Sequence, residues 1–221
     1  MTIIDDHQDA LTQRRAAAIR LVRPGPPVDR IATAPPGYLL AHASSDVARH
    51  AGLLASLPAP AEVRVVATPG RVSGAWHLDV GTRDRPGLLA AFTGVLATSG
   101  IDVAQAVLAT WDDGAALQAF VVRSAAAPDP HTLQPTLEAS LREPLGSDPV
   151  EDAVLSFDDT ASALYTRCDV RAPDRPGLLH AIAVAIATAG ADVHAARVTT
   201  SGGAAHDIFD LSDRPGRKLD V

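Results

Sequence analysis

The sequence predicts an α+β protein built from two copies of one β-α-β-β unit behind a helical N-terminal segment, on three observations. The stretch DRPGLLAAFTGVLATSGIDVAQAVLAT from Asp84 to Thr110 returns ninety residues later as DRPGLLHAIAVAIATAGADVHAARVTT from Asp174, with 14 of 27 positions identical and no gap. A fixed period of self-similarity means a repeated structural unit. In each copy a strand-like run leads into a helical apolar stripe, and alternating runs follow it. Residues before 60 read differently, as helical segments around a Pro-rich connector. The 221 residues give one or two domains with a real core. With 47% hydrophobic but only 4% aromatic residues, that core is expected to be built from Ala, Val and Leu.

The elements follow in order. Leu11, Ala18, Ile19 and Val22 share one side of an amphipathic N-terminal segment. RPGPPVDRIATAPPG (Arg23–Gly37) is expected to be irregular. Ser44 or Ser45 then caps a helix, DVARHAGLLASL, which Pro58 terminates. EVRVVA (Glu62–Ala67) and AWHLDVGTR (Ala75–Arg83) are strands, and DAVLSF (Asp152–Phe157) and LYTRCDVRA (Leu164–Ala172) are their repeats. Leu88, Leu89, Phe92, Val95 and Leu96 make one helical stripe, and Leu178, Leu179, Ile182 and Ile186 the other. Gly100 and Gly190 stop these helices. Strands Ile101–Thr110 and Leu117–Arg123 match Ala191–Thr200 and His206–Leu211, with a hairpin one residue shorter in the second copy, so that Phe120 aligns with Phe209. A further amphipathic helix, Pro130–Leu141, belongs to the first copy. The division is 1–58 for N-terminal helices and linker, 60–147 for the first unit and 150–221 for the second. By the same register the second unit's last helix falls past Val221, so this unit is expected to lack it. An apolar sheet face left open needs a cover, and the N-terminal segment or a second chain would each serve.

Charge and composition exclude several functions. The formal charge is −7 with no basic cluster, against a nucleic-acid partner. Cys168 is the only cysteine, so no internal disulfide forms, and it reads as an inert buried thiol. No signal peptide and no apolar run of about 20 residues is present, and a cytoplasmic protein away from membranes is expected. No metal, cofactor or catalytic residue is expected. GSDPVED (Gly146–Asp152) reads as a solvated turn, His206-Asp207 as a mid-strand coincidence, Asp158-Asp159 as turn-formers, Trp111 as packing, and the third DRPG, at Asp213–Gly216, as a plain turn.

The two DRPGLL segments, followed by GIDV or GADV and a strand, resemble the ACT domain, and Ser156–Leu219 resembles most specifically the tandem ACT region of bacterial PII uridylyltransferase/uridylyl-removing enzymes. PPGYLLAHASSDVARHAGLL (Pro35–Leu54) resembles the stretch just upstream of that region. The resemblance implies ferredoxin-like βαββαβ units in tandem, the second lacking its last helix. It also implies that neither the nucleotidyltransferase nor the HD-type metal domain of that family is present, hence a non-catalytic protein. A small ligand is implied at the interface of two units, between the junction of one and the second strand of the other. The implied ligand-binding residues are Asp84, Arg85, Gly87, Leu88, Leu89, Asp174, Arg175, Gly177, Leu178 and Leu179 at the junctions, with Asp102, Val103, Asp192, Val193 and His194 on the strands.

The residues support such a site in their own right. Asp84 and Asp174 can cap the helices, Pro86 and Pro176 suit a first turn, and Gly87 and Gly177 admit a close approach. Free N–H groups and the helix dipole then favour a carboxylate. The same tetrapeptide also makes a well-formed turn that binds nothing, and His194 reads equally as a ligand contact or an exposed strand residue. Asp102 and Asp192 stand where many ACT domains have Asn; a carboxylate cannot donate an amide N–H, which bears on recognition of a side-chain amide. The leading expectation is a regulatory sensor of an amino acid, glutamine among the candidates, in nitrogen or amino-acid metabolism, acting as a homo-oligomer (a dimer) or through a separate protein. The alternative is a ligand-free interaction module pairing with a nucleotidyltransferase or a PII-type protein.

Overall fold

A computed structural model describes residues 3–142, 150 and 152–221. The elements run α1 (Ile3–Ile19), α2 (Pro26–Ala32), α3 (Pro36–Ala41), α4 (Ser44–Leu53), β1 (Arg64–Pro69), β2 (Ala75–Arg83), α5 (Leu88–Thr98), β3 (Asp102–Thr110), β4 (Ala115–Arg123), α6 (Pro130–Ser140), β5 (Val154–Asp158), β6 (Thr166–Pro173), α7 (Leu178–Thr188), β7 (Ala191–Ser201) and β8 (Ala204–Asp213). All eight strands form one antiparallel sheet in the order β1-β2-β4-β3-β7-β8-β6-β5. The fold is α+β, as the sequence predicts. Each half of the sheet repeats the other, and the edge strand of each half precedes its central strand in the chain.

The halves meet twice. β3 and β7 pair over three residue pairs, Gln105–Thr199 to Val107–Arg197. Above them α5 packs against α7, and Gly94 lets the helices touch. A Cβ built on Gly94 would lie 2.8 Å from Cε1 of His180, whose Nδ1 is 2.9 Å from the Ala90 carbonyl. A carbonyl only accepts, so Nδ1 carries the proton and pins the ring across the helix interface.

Among the described residues, the chain covers both faces of the first half and only one of the second. The main core lies between the helix face of the sheet and α5, α6 and α7, with Leu78, Phe92, Phe120, Leu137 and Phe209 fully buried. A second core lies on the opposite face, where α1–α4 cover Ala109, Trp111, Leu117 and Ala119. The N-terminal segment therefore covers the first half rather than the second. The reason shows in the outward positions. Leu117 and Ala119 on β4 are apolar, whereas their repeat counterparts on β8 are His206 and Ile208, followed by Asp210. Among the described residues the second half has no counterpart of α6, and Leu155 and Phe157 on the edge strand β5 are 55% and 46% exposed.

A buried polar network fixes the N-terminal helices. Asp79 on β2 is 2% exposed and accepts from His50 Nε2 at 3.0 Å and from Arg49 Nε at 2.6 Å. Arg49 also reaches Asp46 at 2.8 Å, and Tyr38 Oη lies 2.9 Å from His50 Nδ1. Burial alone would raise the Asp79 carboxyl, but the bonds and charges of His50 and Arg49 outweigh it and hold it below the usual range.

Several local expectations need correction. The Pro-rich connector is not irregular: Pro26 and Pro36 open α2 and α3, because a first helical turn needs no N–H from those positions. Neither serine caps α4; its N-cap is Ala43, without a side-chain bond, and the helix ends at Leu53 in a turn to Leu54, ahead of Pro58. Gly100 and Gly190 do end their helices, with Ile101 N–H returning to the Leu96 carbonyl in a Schellman closure. Gly146 to Pro149 and Glu151 lie outside the described residues.

Two tests follow from this packing. Gly94→Ala is expected to destabilise the protein by about 1–2 kcal/mol through overpacking against His180. In a His180→Ala background the same change should instead stabilise by about 0.5–1 kcal/mol, since alanine outranks glycine inside a helix; a double-mutant cycle by urea unfolding reads the reversal. Asp79→Asn should cost about 3 kcal/mol or more, because it leaves Arg49 and His50 under-compensated. In the native protein the Asp79 contribution is full above its unfolded value near 4 and disappears as pH falls through its depressed folded value. Unfolding monitored by Trp111 fluorescence across pH 2–7 checks both points.

Candidate functional site

The DRPG junction is a type II turn that hands over to a helix. Leu88 N–H donates to the Arg85 carbonyl at 3.3 Å, with Pro86 and Gly87 as the central residues and Gly87 at φ 78, ψ 9. Leu178 N–H repeats this on Arg175 at 3.1 Å, with Gly177 at φ 77, ψ 2. The glycines are thus required by a positive φ, and they are themselves the N-caps. Asp84 and Asp174 do not cap α5 and α7, contrary to expectation, because the turn separates them from the first helical N–H groups by three residues. Their backbone N–H groups instead donate to the carbonyls of Gly114 and Gly203 in the neighbouring hairpins, at 2.9 and 3.0 Å.

Each junction faces the strand start of the opposite half. Asp84, Arg85, Gly87, Leu88 and Leu89 line a cavity together with Asp192 and Val193 at the start of β7. Asp174, Arg175, Gly177, Leu178 and Leu179 line another with Asp102 and Val103 at the start of β3. Both strands bulge at the same repeat position, between Val103 and Gln105 and between Val193 and Ala195, which turns their first residues toward the junctions. His194 occupies the bulge of β7 and shares with Asp84, Trp111 and Tyr165 the lining of a third, wider cleft of about 890 Å³. Its ring stacks on Tyr165 at 4.3 Å, and its Nε2 lies 2.8 Å from Ser212 Oγ, outside both cavity linings.

The two cavities differ in size and floor. The first encloses about 20 Å³, room for about one water, and the second about 320 Å³, the low end of small-ligand sites. Wall residues of the narrow cavity are larger by a methylene: Leu108 stands where the wider, open one has Val198, and Gln118 where it has Asp207. Gln118 is 1% exposed, and neither its Nε2 nor its Oε1 finds a partner among the described residues. Asp84 beside it is pushed up by burial and by the neighbouring Asp192. In the open cavity Asp207 is also 1% exposed, and burial pushes its carboxyl up to about 6 against one N–H bond from Thr199 at 3.3 Å. The carboxylates of Asp102 and Asp174 stand at the same cavity with Arg175 and His180.

Sequence reasoning missed Gln118 and Asp207. The signal was present: Ala205, Phe209 and Leu211 alternate inward along β8, and Asp207 interrupts them. His206 and Asp207 face opposite sides of that strand, His206 meeting Asp169 on the outer face at 2.8 Å. Cys168 is buried, and desolvation pushes its thiol up to about 11. Asp158 accepts from the N–H groups of Thr160 and Ala161 and so shapes its turn, Asp213 does the same for Gly216 and Arg217, and Trp111 is buried with Nε1 donating to the Arg30 carbonyl. No helix among the described residues is long and apolar enough to cross a membrane.

Comparison with known proteins bears on the same region. Residues 166–219 match the ACT domain family. The chain is 30% identical over 210 residues to the bifunctional uridylyltransferase/uridylyl-removing enzyme of Gluconobacter oxydans, covering 83% of this chain and 22% of that protein. The protein of the same description from Rhodospirillum rubrum is 28% identical over 210 residues with the same coverage. That from Methylococcus capsulatus is 28% identical over 202 residues, covering 83% and 23%. The chain therefore spans about a fifth of the length of the curated relatives it matches. Among solved structures, aspartate kinase from Synechocystis aligns with a TM-score of 0.36 at 18% identity, over 64% of this chain and 24% of that one.

The raised Asp207 value sets a sign. The unfolded chain ionises this carboxyl near pH 4, the folded one only near 6, so its burial weighs against folding increasingly from pH 4 to 6 and fully above. Asp207→Asn is expected to stabilise the protein by about 1–3 kcal/mol above pH 6.5 and by little at pH 4. Urea unfolding at both pH values checks it; an equal effect at the two would contradict the assignment.

Proposed function

From a chain that carries an ACT domain and is similar to the C-terminal regulatory region of bifunctional uridylyltransferase/uridylyl-removing enzymes, we infer a non-catalytic regulatory sensor that binds a small ligand, an amino acid, between its two halves. ACT domains are regulatory small-ligand-binding modules. The two units are residues 60–147 and 150–221, and the ligand-binding residues are those of the open junction: Asp102, Val103, Asp174, Arg175, Gly177, Leu178 and Leu179. Their counterparts at Asp84–Leu89 and Asp192–Val193 form the second, narrower position. Nitrogen or amino-acid metabolism is the setting, and glutamine is one ligand to test.

One observation carries this reading: the open cavity of about 320 Å³ takes one wall from each half. A molecule seated there contacts both, so it biases how the halves are held together, and a partner protein or a second copy can read that bias. The positive end of α7, an 11-residue helix, opens on the cavity and suits a carboxylate.

A second reading, a protein-interaction module without a ligand, is favoured by β5. This edge strand leaves Val154 68% exposed beside Leu155 and Phe157, an apolar strip suited to another chain.

A thermal-shift panel separates the two. Each of the twenty amino acids is added at millimolar concentration to the full chain. A selective rise is expected, about 2.7 kcal/mol at one hundred times Kd, and it should vanish in Ala205→Leu, which fills the open cavity from its wall. A flat panel would move the assignment to the interaction module.

A further inference from the structure

We propose that Asp207 is the recognition group for a cationic amine at the floor of the open cavity, so that the ligand must carry a free, protonated amino group. This inference rests on the sensor reading above and says which chemistry that site selects.

The geometry gives Asp207 no structural task. It is 1% exposed on the inward face of β8, among Ala205, Phe209 and Leu211, where an apolar residue would pack. Its Oδ1 accepts only the Thr199 N–H, at a long 3.3 Å, and Oδ2 has no hydrogen-bond partner among the described residues. No ion pair to it is formed among those residues either. His206, next to it in sequence, is turned to the other face and taken by Asp169. A buried carboxylate so sparsely bonded is costly unless a donor reaches it, and this one borders an open cavity rather than packed protein.

The chemistry of the missing donor follows from the surroundings. Asp174 adds a second carboxyl close enough to act on Asp207, while Asp102 at the rim is paired with Arg123 at 3.8 Å, and Arg175 and His180 complete the lining. The carboxyl of Asp207 ionises near 6 and is an anion at neutral pH. A neutral hydroxyl or amide would satisfy a lone pair but leave the charge uncompensated, whereas an ammonium supplies both the donor and the charge. The positive N-terminus of α7 at the same cavity suits the carboxylate of the same molecule. A zwitterion is thereby held at two opposite poles. The narrow cavity supports the contrast: in Gln118 it has an uncharged amide at the same repeat position.

Isothermal titration of the full chain at pH 7.5 tests the proposal, with each free amino acid, its N-acetyl derivative and its 2-oxo acid as probes. An amino acid that binds should lose at least tenfold in affinity in Asp207→Asn, a near-isosteric change expected to leave the fold more stable. The N-acetyl and 2-oxo forms should not bind the native chain. Unchanged affinity in Asp207→Asn, or equal binding of the N-acetyl form, overturns the role of Asp207 and leaves the sensor reading standing. Absence of binding by every probe to the native chain overturns both.

Discussion

The contact of α5 with α7 across Gly94 is the constraint on which the rest of the arrangement depends. The sheet continues between the halves through only three residue pairs of β3 and β7, too few to fix their relation alone. The helices complete it, with the His180 ring seated over Gly94 and tied to the Ala90 carbonyl. Because the repeats are related about this contact, each junction is carried to the strand start of the other half. Both cavities are products of that crossing. A change in the spacing of the two helices alters them together, and the shared element is what would couple one position to the other.

Equivalent positions in the two halves have diverged according to what covers them. Asp79 and Asp169 are repeat partners on outward-facing positions. The first is buried under α4 with Arg49 and His50, and the second sits on an open face with Arg171 and His206. Gly81 and Arg171 show the same split. A Cβ at Gly81 would lie 2.9 Å from Leu54, so α4 needs the glycine, whereas Arg171 has room in solvent. The sheet is thus three layers deep over one half and two over the other, and the outward side chains carry that difference.

Much of this was legible in the residues. The ninety-residue period set the strands within about two residues, and Gly100 and Gly190 marked the helix ends because those positions need a left-handed backbone. What failed has physical reasons. The Pro-rich composition of Arg23–Gly37 suggests an irregular connector, yet proline is tolerated where a helix begins, as at Pro26 and Pro36. Asp84 and Asp174 were read as caps, but the Pro-Gly turn inserts its own bend first and leaves glycine in the capping place. The cover on the first half was missed although β4 reads as an apolar run on both faces, the mark of a strand buried twice, while β8 alternates. In the candidate site, the crossing of junction and strand came from family resemblance and the bulges from no visible signal. Asp207 was within reach as a charge in an apolar register.

The divergence of Gln118 and Asp207 gives the two cavities opposite energetics. Gln118 sits in a space of about one water, with both amide atoms unpartnered. Closing that cavity further gains packing but cannot satisfy the amide. Asp207 sits in the larger space with an anionic charge that opposes folding at neutral pH. A ligand that pairs with this charge removes a cost already present in the empty protein, so part of its binding energy appears as relief within the fold rather than as new contact.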